Sequence, residues 1–457
     1  MVRFGQEPLT GLLPPDTEKM KSIMIKIATL IISISALMSS CTKASDDRKI
    51  IIGPDGGTTT QAIVLEGTER DNWQIYQVNP KLYGSSGAFG KIEDRLDDIK
   101  ALGTEILYLM PIYEEGKEKS IGSPYCIRNF KALNTSYGTM ADLKSLISAA
   151  HSKGMKVMFD WVANHTAWDN VWITEHPEWY EKDANGNIVC PTKDGTWSDV
   201  AQLNYSKTEL WAAMEDALLY WVDELGIDGY RCDYAHGVKD AFWQEAIGKI
   251  KAKYPDFIML AESDYVRMFS DGFDIIFDRA MKSNMISLFK GGKVADFFSW
   301  YKSDLEKTPA PKTKLFFITN HDDATENYPA GQFSSSEGGL AAYVLMSALN
   351  GSAMIYGSQE TGYSKTINFF KTMNFDWSAG SSLHNAYKEA MSALSKLDRS
   401  GKMTAYYNGR VIFISYPKGL VAVNVDAASA SASLPSVNSS LPGEVSLSGY
   451  GYRIWTW

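Results

Sequence analysis

From residue 73 onward the chain alternates short apolar, β-rich runs with segments whose apolar residues recur at helical spacing. The runs at 73–78, 106–110, 156–162, 229–233, 257–262, 273–278, 315–320 and 353–356 predict eight strands. Residues 92–102, 140–153, 207–225 and 338–349 predict helices between them. Eight strands in βα alternation point to an α/β fold, a parallel (β/α)8 barrel over residues 73–398. One link breaks the rhythm. Residues 166–204, rich in Trp, Gly and Asp, have no helical period and predict a loop subdomain after the third strand, over the barrel mouth. After residue 398 the runs become short and β-like, at 404–407, 410–416, 419–425 and 450–457, around a small-residue stretch at 427–436. They predict a C-terminal antiparallel β domain over 399–457.

The N-terminal end carries a different pattern. Lys21 and Lys26 precede an apolar run at 27–38, which suits the core of a signal peptide and is too short to span a bilayer. Met38-Ser39-Ser40-Cys41 closes the run and resembles a bacterial lipoprotein cleavage site, so residues 1–40 are expected to be removed and Cys41 lipidated. Met20 or Met24 would be a more natural start than Met1, which leaves 1–19 as a start-site artefact. Residues 41–72 read as a polar tether and N-terminal segment. The expected location is an outer membrane, anchored through Cys41, on its periplasmic or cell-surface side.

Charge narrows the partners. The 45 Lys+Arg against 54 Asp+Glu give a net charge of −9 with no basic stripe, which argues against nucleic acid. Four cysteines with no CxxC pair are too sparse for a disulfide scaffold.

In a parallel barrel, chemistry gathers at the C-terminal ends of the strands. The third strand ends in Asp160-Trp161-Val162-Ala163-Asn164-His165, the fourth in Tyr230-Arg231-Cys232-Asp233, the fifth in Leu260-Ala261-Glu262 and the seventh in Thr319-Asn320-His321-Asp322-Asp323. A lone Asp at a strand end is more often a helix cap. Three acidic strand ends on one rim, two flanked by Arg or His, favour a site. Arg231, two residues before Asp233 and on the same strand face, is expected to hold that carboxylate ionised. Glu262, with no cation beside it in sequence, is expected to stay protonated. A nucleophilic carboxylate and a proton-donating one are the parts needed to break a glycosidic bond with retention.

These residues carry a resemblance. Asp160-x-x-x-Asn164-His165, Gly229-Tyr230-Arg231-Cys232-Asp233, Glu262 and Asn320-His321-Asp322-Asp323 resemble the four ordered motifs of the α-amylase family of retaining glycoside hydrolases. The resemblance implies Asp233 as nucleophile, Glu262 as acid/base and Asp322 as transition-state stabiliser. It implies Arg231 beside the nucleophile, and His165 and His321 on hydroxyls of the sugar being cleaved. Gly122-Ser123-Pro124-Tyr125 resembles the family's Tyr-bearing loop and implies Tyr125 as the platform beneath that sugar; Asn129 stands where the family usually has Asp.

Many family members hold a calcium ion between the long loop and the barrel. Asn164 matches one ligand position, but Gln202 in Val200-Ala201-Gln202-Leu203-Asn204 stands where Asp is common, and His236-Gly237 replaces Lys-His. Calcium is therefore possible and weak, with no cofactor required. The histidines match no zinc spacing. The tryptophans of the long loop, Trp168, Trp172, Trp179 and Trp197, read as core more readily than as sugar contacts, and Cys126 and Cys232 as structural thiols.

The implied activity is hydrolysis of α-1,4 bonds in starch or maltooligosaccharides. The alternatives are an α-glucan transglycosylase or α-1,6-acting enzyme and, from another class, a glucan-binding protein without catalysis.

Overall fold

The computed structural model describes residues 61–63, 70–193, 195–399 and 403–457. Cys41, the segment before it and most of the tether lie outside them. Eight parallel strands close into a barrel: β1 (Gln74–Val78), β2 (Ile106–Leu109), β3 (Lys156–Trp161), β4 (Gly229–Cys232), β5 (Ile258–Ala261), β6 (Ile275–Phe277), β7 (Thr313–Phe317) and β8 (Ser352–Tyr356). Each pairs with its chain neighbours, and β8 closes on β1 with Ala353 opposite Gln74. Both faces of every strand are covered, which is why the strands read as continuous apolar runs rather than as alternating ones.

Alternate residues serve two cores. Ile75, Tyr108, Met158, Leu260, Phe277, Phe317 and Met354 point inward and fill the barrel. Tyr76, Leu107, Phe159, Tyr230, Met259 and Ile355 point outward and pack under the helices. The helix Met140–Ser152 starts in a capping box, with Thr139 Oγ accepting from Asp142 N and Asp142 answering to Thr139 N. Thr208–Leu225 ends on Gly226 in the left-handed region at φ 64°. The segment expected as one helix at 92–102 is two, Ala88–Glu93 and Leu96–Ala101, with Arg95 between them out of helical geometry.

The long loop is tied at its root by a two-stranded ladder, His165–Ala167 against Val200–Gln202, with His165 opposite Gln202. Trp172 and Trp179 pack together and, with Phe130, form its interior; Trp168 lies under Lys119 and donates to Ser198 O. Trp197 alone of the four lines the cleft.

The C-terminal sheet has the order Gln61–Ile63, β9 (Thr404–Asn408), β10 (Val411–Tyr416), β11 (Gly419–Asn424), with Tyr452–Thr456 on the far edge. Residues 61–63 thus add an edge strand where the sequence reading has tether. The small-residue stretch is not featureless either: β12 (Ala430–Ser433) pairs with β13 (Glu444–Leu447) and buries Ala432 and Val445 over the sheet. Tyr416 Oη donating to Ala348 O and Arg410 Nη1 donating to Gly292 O fasten this domain to the barrel's helices. Among the described residues no helix is long and apolar enough to cross a membrane.

Candidate active site

The ends of β3, β4, β5 and the turn after β7 bring Asp160, Arg231, Asp233, Glu262, His321 and Asp322 together at the mouth. Arg231 is the hub. Fully buried, it donates from Nη1 to Asp160 Oδ1 at 2.7 Å and to Asp233 Oδ1 at 3.0 Å, and its Nη2 lies 3.1 Å from Glu262 Oε2. Arg231 and Asp233 share a strand face, as i and i+2 must. The backbone pairing of β3, β4 and β5 supplies the rest, with Asp160 opposite Arg231 and Leu260 opposite Arg231 on the other side.

The sugar-facing floor is a second network. Tyr125 Oη donates to Asp160 Oδ2 at 2.9 Å and lies 2.8 Å from His321 Nε2. A phenol has one hydrogen, so His321 Nε2 carries the proton it shares with Tyr125, and His321 Nδ1 accepts from Gln77 Nε2 at 2.8 Å. The imidazole is held neutral in one tautomer: burial, then the charges of Arg231 and Arg279, push its pKa well down. His165 is lowered to about 4 by burial. The Tyr125 and His321 rings are stacked at 5.3 Å, and Phe369 meets both edge-on. Together with Ile121, Trp197, Tyr234 and Phe370, these groups line a cavity of about 460 Å³ that holds Asp233, Glu262 and Asp322.

The charge arrangement differs from the sequence expectation in one respect. Glu262 does have cations beside it. Arg279, just after β6, donates from Nη2 to Glu262 Oε1 at 2.7 Å and from Nη1 to Asp264 Oδ2 at 2.7 Å. Tyr234 N donates to Glu262 Oε2 at 2.8 Å. Burial opposes ionisation of Glu262, but Arg231, Arg279 and this N–H outweigh it and hold the carboxyl below its ordinary value. Asp233 shares a single guanidinium nitrogen; burial and the Glu262 charge push it well up. The two carboxyls are thus biased in opposite directions, and Arg279 supplies the cation that the sequence around Glu262 lacks. Asp322, half exposed at the rim, is raised to about 7 by desolvation and by Glu262.

The residues at the family's calcium position do not suit a divalent cation. Gln202 Nε2 donates to Asn164 O at 2.9 Å, Leu203 O at 3.1 Å and Asn164 Oδ1 at 3.2 Å. Two of these are main-chain carbonyls, which only accept, so the amide nitrogen must face them. A hydrogen-bond donor thus occupies the centre of the oxygens, and no carboxylate joins them, whereas calcium requires six to eight oxygens including charged ones. Gly237 has its own reason: Tyr234, at φ 42°, lays its ring where a Cβ on residue 237 would come within 2.2 Å. Asn129 lies outside the cleft lining, its Oδ1 accepting from Lys131 N. Cys126, pushed up to about 12, and Cys232, also raised, are thiols whose ionisation burial opposes.

Arg279, Gln77 and Tyr108, whose hydroxyl donates to Asp160, were not singled out from sequence. Each stands at or just beyond a strand or its inward face, so the strand-end rule applied to β1 and β6 would have reached Gln77 and Arg279.

A closed parallel barrel with three carboxylates around a buried arginine at its C-terminal mouth is a barrel of the glycosidase type. The chain belongs to the alpha-amylase family: the model of the alpha amylase catalytic domain matches residues 65–399. An alpha-amylase structure from Lactobacillus plantarum is 26% identical with a TM-score of 0.72, covering 84% of this chain and 99% of that one. A maltogenic alpha-amylase from Thermotoga neapolitana is 26% identical with a TM-score of 0.66, covering 79% and 87%. Among curated proteins, an alpha-1,4-glucan:maltose-1-phosphate maltosyltransferase from Rhodospirillum rubrum is 28% identical over 54% of this chain. The match spans 39% of that relative's own length, and 33% to 44% across three such curated relatives.

Proposed function

We propose that the protein is a retaining α-glucan hydrolase that cleaves α-1,4 bonds of starch or maltooligosaccharides. The observation that carries this reading is the convergence of Asp233, Glu262 and Asp322 on one cavity floored by the Tyr125–His321 pair. The apolar face of a pyranose lies on Tyr125, with His165, His321 and Asp322 taking its hydroxyls. Asp233 attacks the anomeric carbon while Glu262 protonates the departing oxygen; water then releases the sugar with Glu262 as base. Arg231 neutralises Asp233 and steadies its attacking oxygen. For the first step Glu262 must carry the proton. A sugar oxygen arriving over Glu262 competes for it with Arg279, which also pairs with Asp264. Gln202, in place of a metal, pins the long loop that carries Trp197. Lipid attachment at Cys41, and with it an outer-membrane location, belongs to the same proposal.

The test is product analysis on soluble starch, maltoheptaose, pullulan and cyclodextrin, together with Asp233→Asn and Glu262→Gln. We expect maltooligosaccharide products first released as α anomers by NMR, and loss of hydrolysis in each variant with an unchanged circular dichroism spectrum. First-formed β anomers, or substantial starch hydrolysis by Asp233→Asn, would overturn the reading.

A further inference from the structure

The two sides of the cleft are built differently. Glu262 delivers its proton to the oxygen of the departing chain, so the reducing-end part of a glucan lies over β4 and β5. In an α-1,4 glucan C1 and O4 are at opposite ends of each ring, so the chain toward the non-reducing end leaves the central sugar away from Glu262. In an eight-stranded barrel the strand across from β5 is β1, flanked by β8 and β2.

That side of the mouth is crossed by a strap, residues 367–375, which follows β8 and is laced to its neighbours by backbone hydrogen bonds. Ile367 N donates to Ala324 O, Met373 N to Lys81 O, Gly84 N to Met373 O and Phe375 N to Leu82 O, at 2.6 to 3.0 Å. Two glycines record how closely it is pressed down. A Cβ on Gly84 would come within 2.3 Å of the Asn374 side chain, and one on Gly122, at φ 83°, within 2.7 Å of Phe370 O. Lys81 Nζ clamps the same corner, donating to Gly122 O and Glu115 Oε2, both at 2.8 Å. From this strap Phe369 packs edge-on against Tyr125 and His321, and Phe370 lies 4.4 Å from Phe369, ring centre to ring centre, where both line the cavity. On the Glu262 side, by contrast, Tyr265 is 56% exposed beside His236.

We infer that the cleft is blind on its non-reducing side: the strap, through Phe369 and Phe370, stops the chain a short, fixed number of sugars beyond the cleavage point. The enzyme then acts from non-reducing chain ends and releases one short product, while the leaving portion of the glucan extends past Tyr265. This rests on the glucan-hydrolase reading. The cavity that both rings line has a volume of about 460 Å³.

The experiment uses maltoheptaose carrying a 2-aminobenzamide label at its reducing end, either native or blocked by a 4,6-O-ethylidene group on the non-reducing glucose. A blind cleft leaves no room for the block when the bond cut is a fixed distance from that end. We expect the native substrate to give a single unlabelled product from the first time points, and the blocked one to be cleaved about 100-fold more slowly, the scale at which a tight pocket rejects added bulk. Phe370→Ala should raise the blocked-to-native rate ratio about tenfold. Blocked and native substrates cleaved at similar rates, several unlabelled products at once, or a ratio that Phe370→Ala leaves unchanged would overturn the inference while leaving glucan hydrolysis standing. Cleavage of neither substrate by the unchanged protein would overturn the glucan reading itself, and the inference with it.

Discussion

Replacing Arg231 by Met tests the electrostatic account directly, because one guanidinium is shared by three carboxyl groups. Arg231 is fully buried and pairs with Asp160 at 2.7 Å, Asp233 at 3.0 Å and Glu262 at 3.1 Å. Removing one partner of a buried ion pair costs about 3–5 kcal/mol, since the remaining charge is left without compensation. With a melting entropy of about 2.1 cal/mol/K for each of roughly 390 described residues, about 0.8 kcal/mol/K in all, Tm should fall by about 4–6 °C near neutral pH. The size of the loss should depend on pH, and its sign follows from linkage. In the unchanged protein Glu262 is lowered from 4.5, so it contributes stability that is present above that value and lost as pH falls through its folded pKa. Burial already raises Asp160 and Asp233 in the unchanged protein, and loss of Arg231 moves both further up and takes from Glu262 one of its two cations. A raised carboxyl favours the fold below its unfolded pKa and loses that contribution as pH rises through the folded one. The gap between the two proteins should therefore widen as pH rises from 5 to 8. Differential scanning calorimetry at both values measures it. An equal Tm loss at pH 5 and pH 8, or a larger one at pH 5, would show that Arg231 acts by packing rather than by charge.

Three further outcomes follow from single residues. Arg279→Met removes one of the two cations that hold Glu262 down, so the alkaline limb of kcat/KM, which reports the free enzyme, should move to higher pH; a limb that stays or moves down refutes the pairing. Dialysis against a strong chelator should change Tm by less than about 2 °C, because the Gln202 amide fills the position between Asn164 and Leu203, whereas Gln202→Asp should gain RT ln(1 + [L]/Kd) of stability with added calcium and so a Tm that rises with its concentration. A large chelator effect on the unchanged protein would show the ligand set misread. Cys41→Ala should pass from the membrane to the soluble fraction of an expressing bacterium; equal recovery in membranes contradicts the anchor.

The barrel was legible because its strands are buried on both faces and leave largely apolar runs, four of them ending in a polar cluster. Asp233, Glu262, Asp322 and His321 were reached the same way, since the end of a parallel strand fixes where its next side chains go, whereas Tyr125 was reached only through the resemblance of its loop. What escaped depends on who stands beside whom across strands. Glu262 looked cation-free along its own segment, yet β6 lies next to β5 and places Arg279 against it. Gln202 looked like a weakened calcium ligand, yet the pairing of His165 with Gln202 turns its amide onto Asn164 and makes it a donor. In the C-terminal domain the Ala/Ser stretch lacked the bulky residues that mark strands, and only its partner, with Val445 and Leu447 inward, supplies the apolar face that makes β12 a strand. Charge state is thus the property of this site least readable from one segment. Arg231 gives Asp233 one nitrogen, whereas Glu262 receives a second guanidinium and a backbone N–H. That inequality pushes the Asp233 carboxyl up and holds the Glu262 carboxyl down, and it arises across β4, β5 and β6 rather than within any one segment.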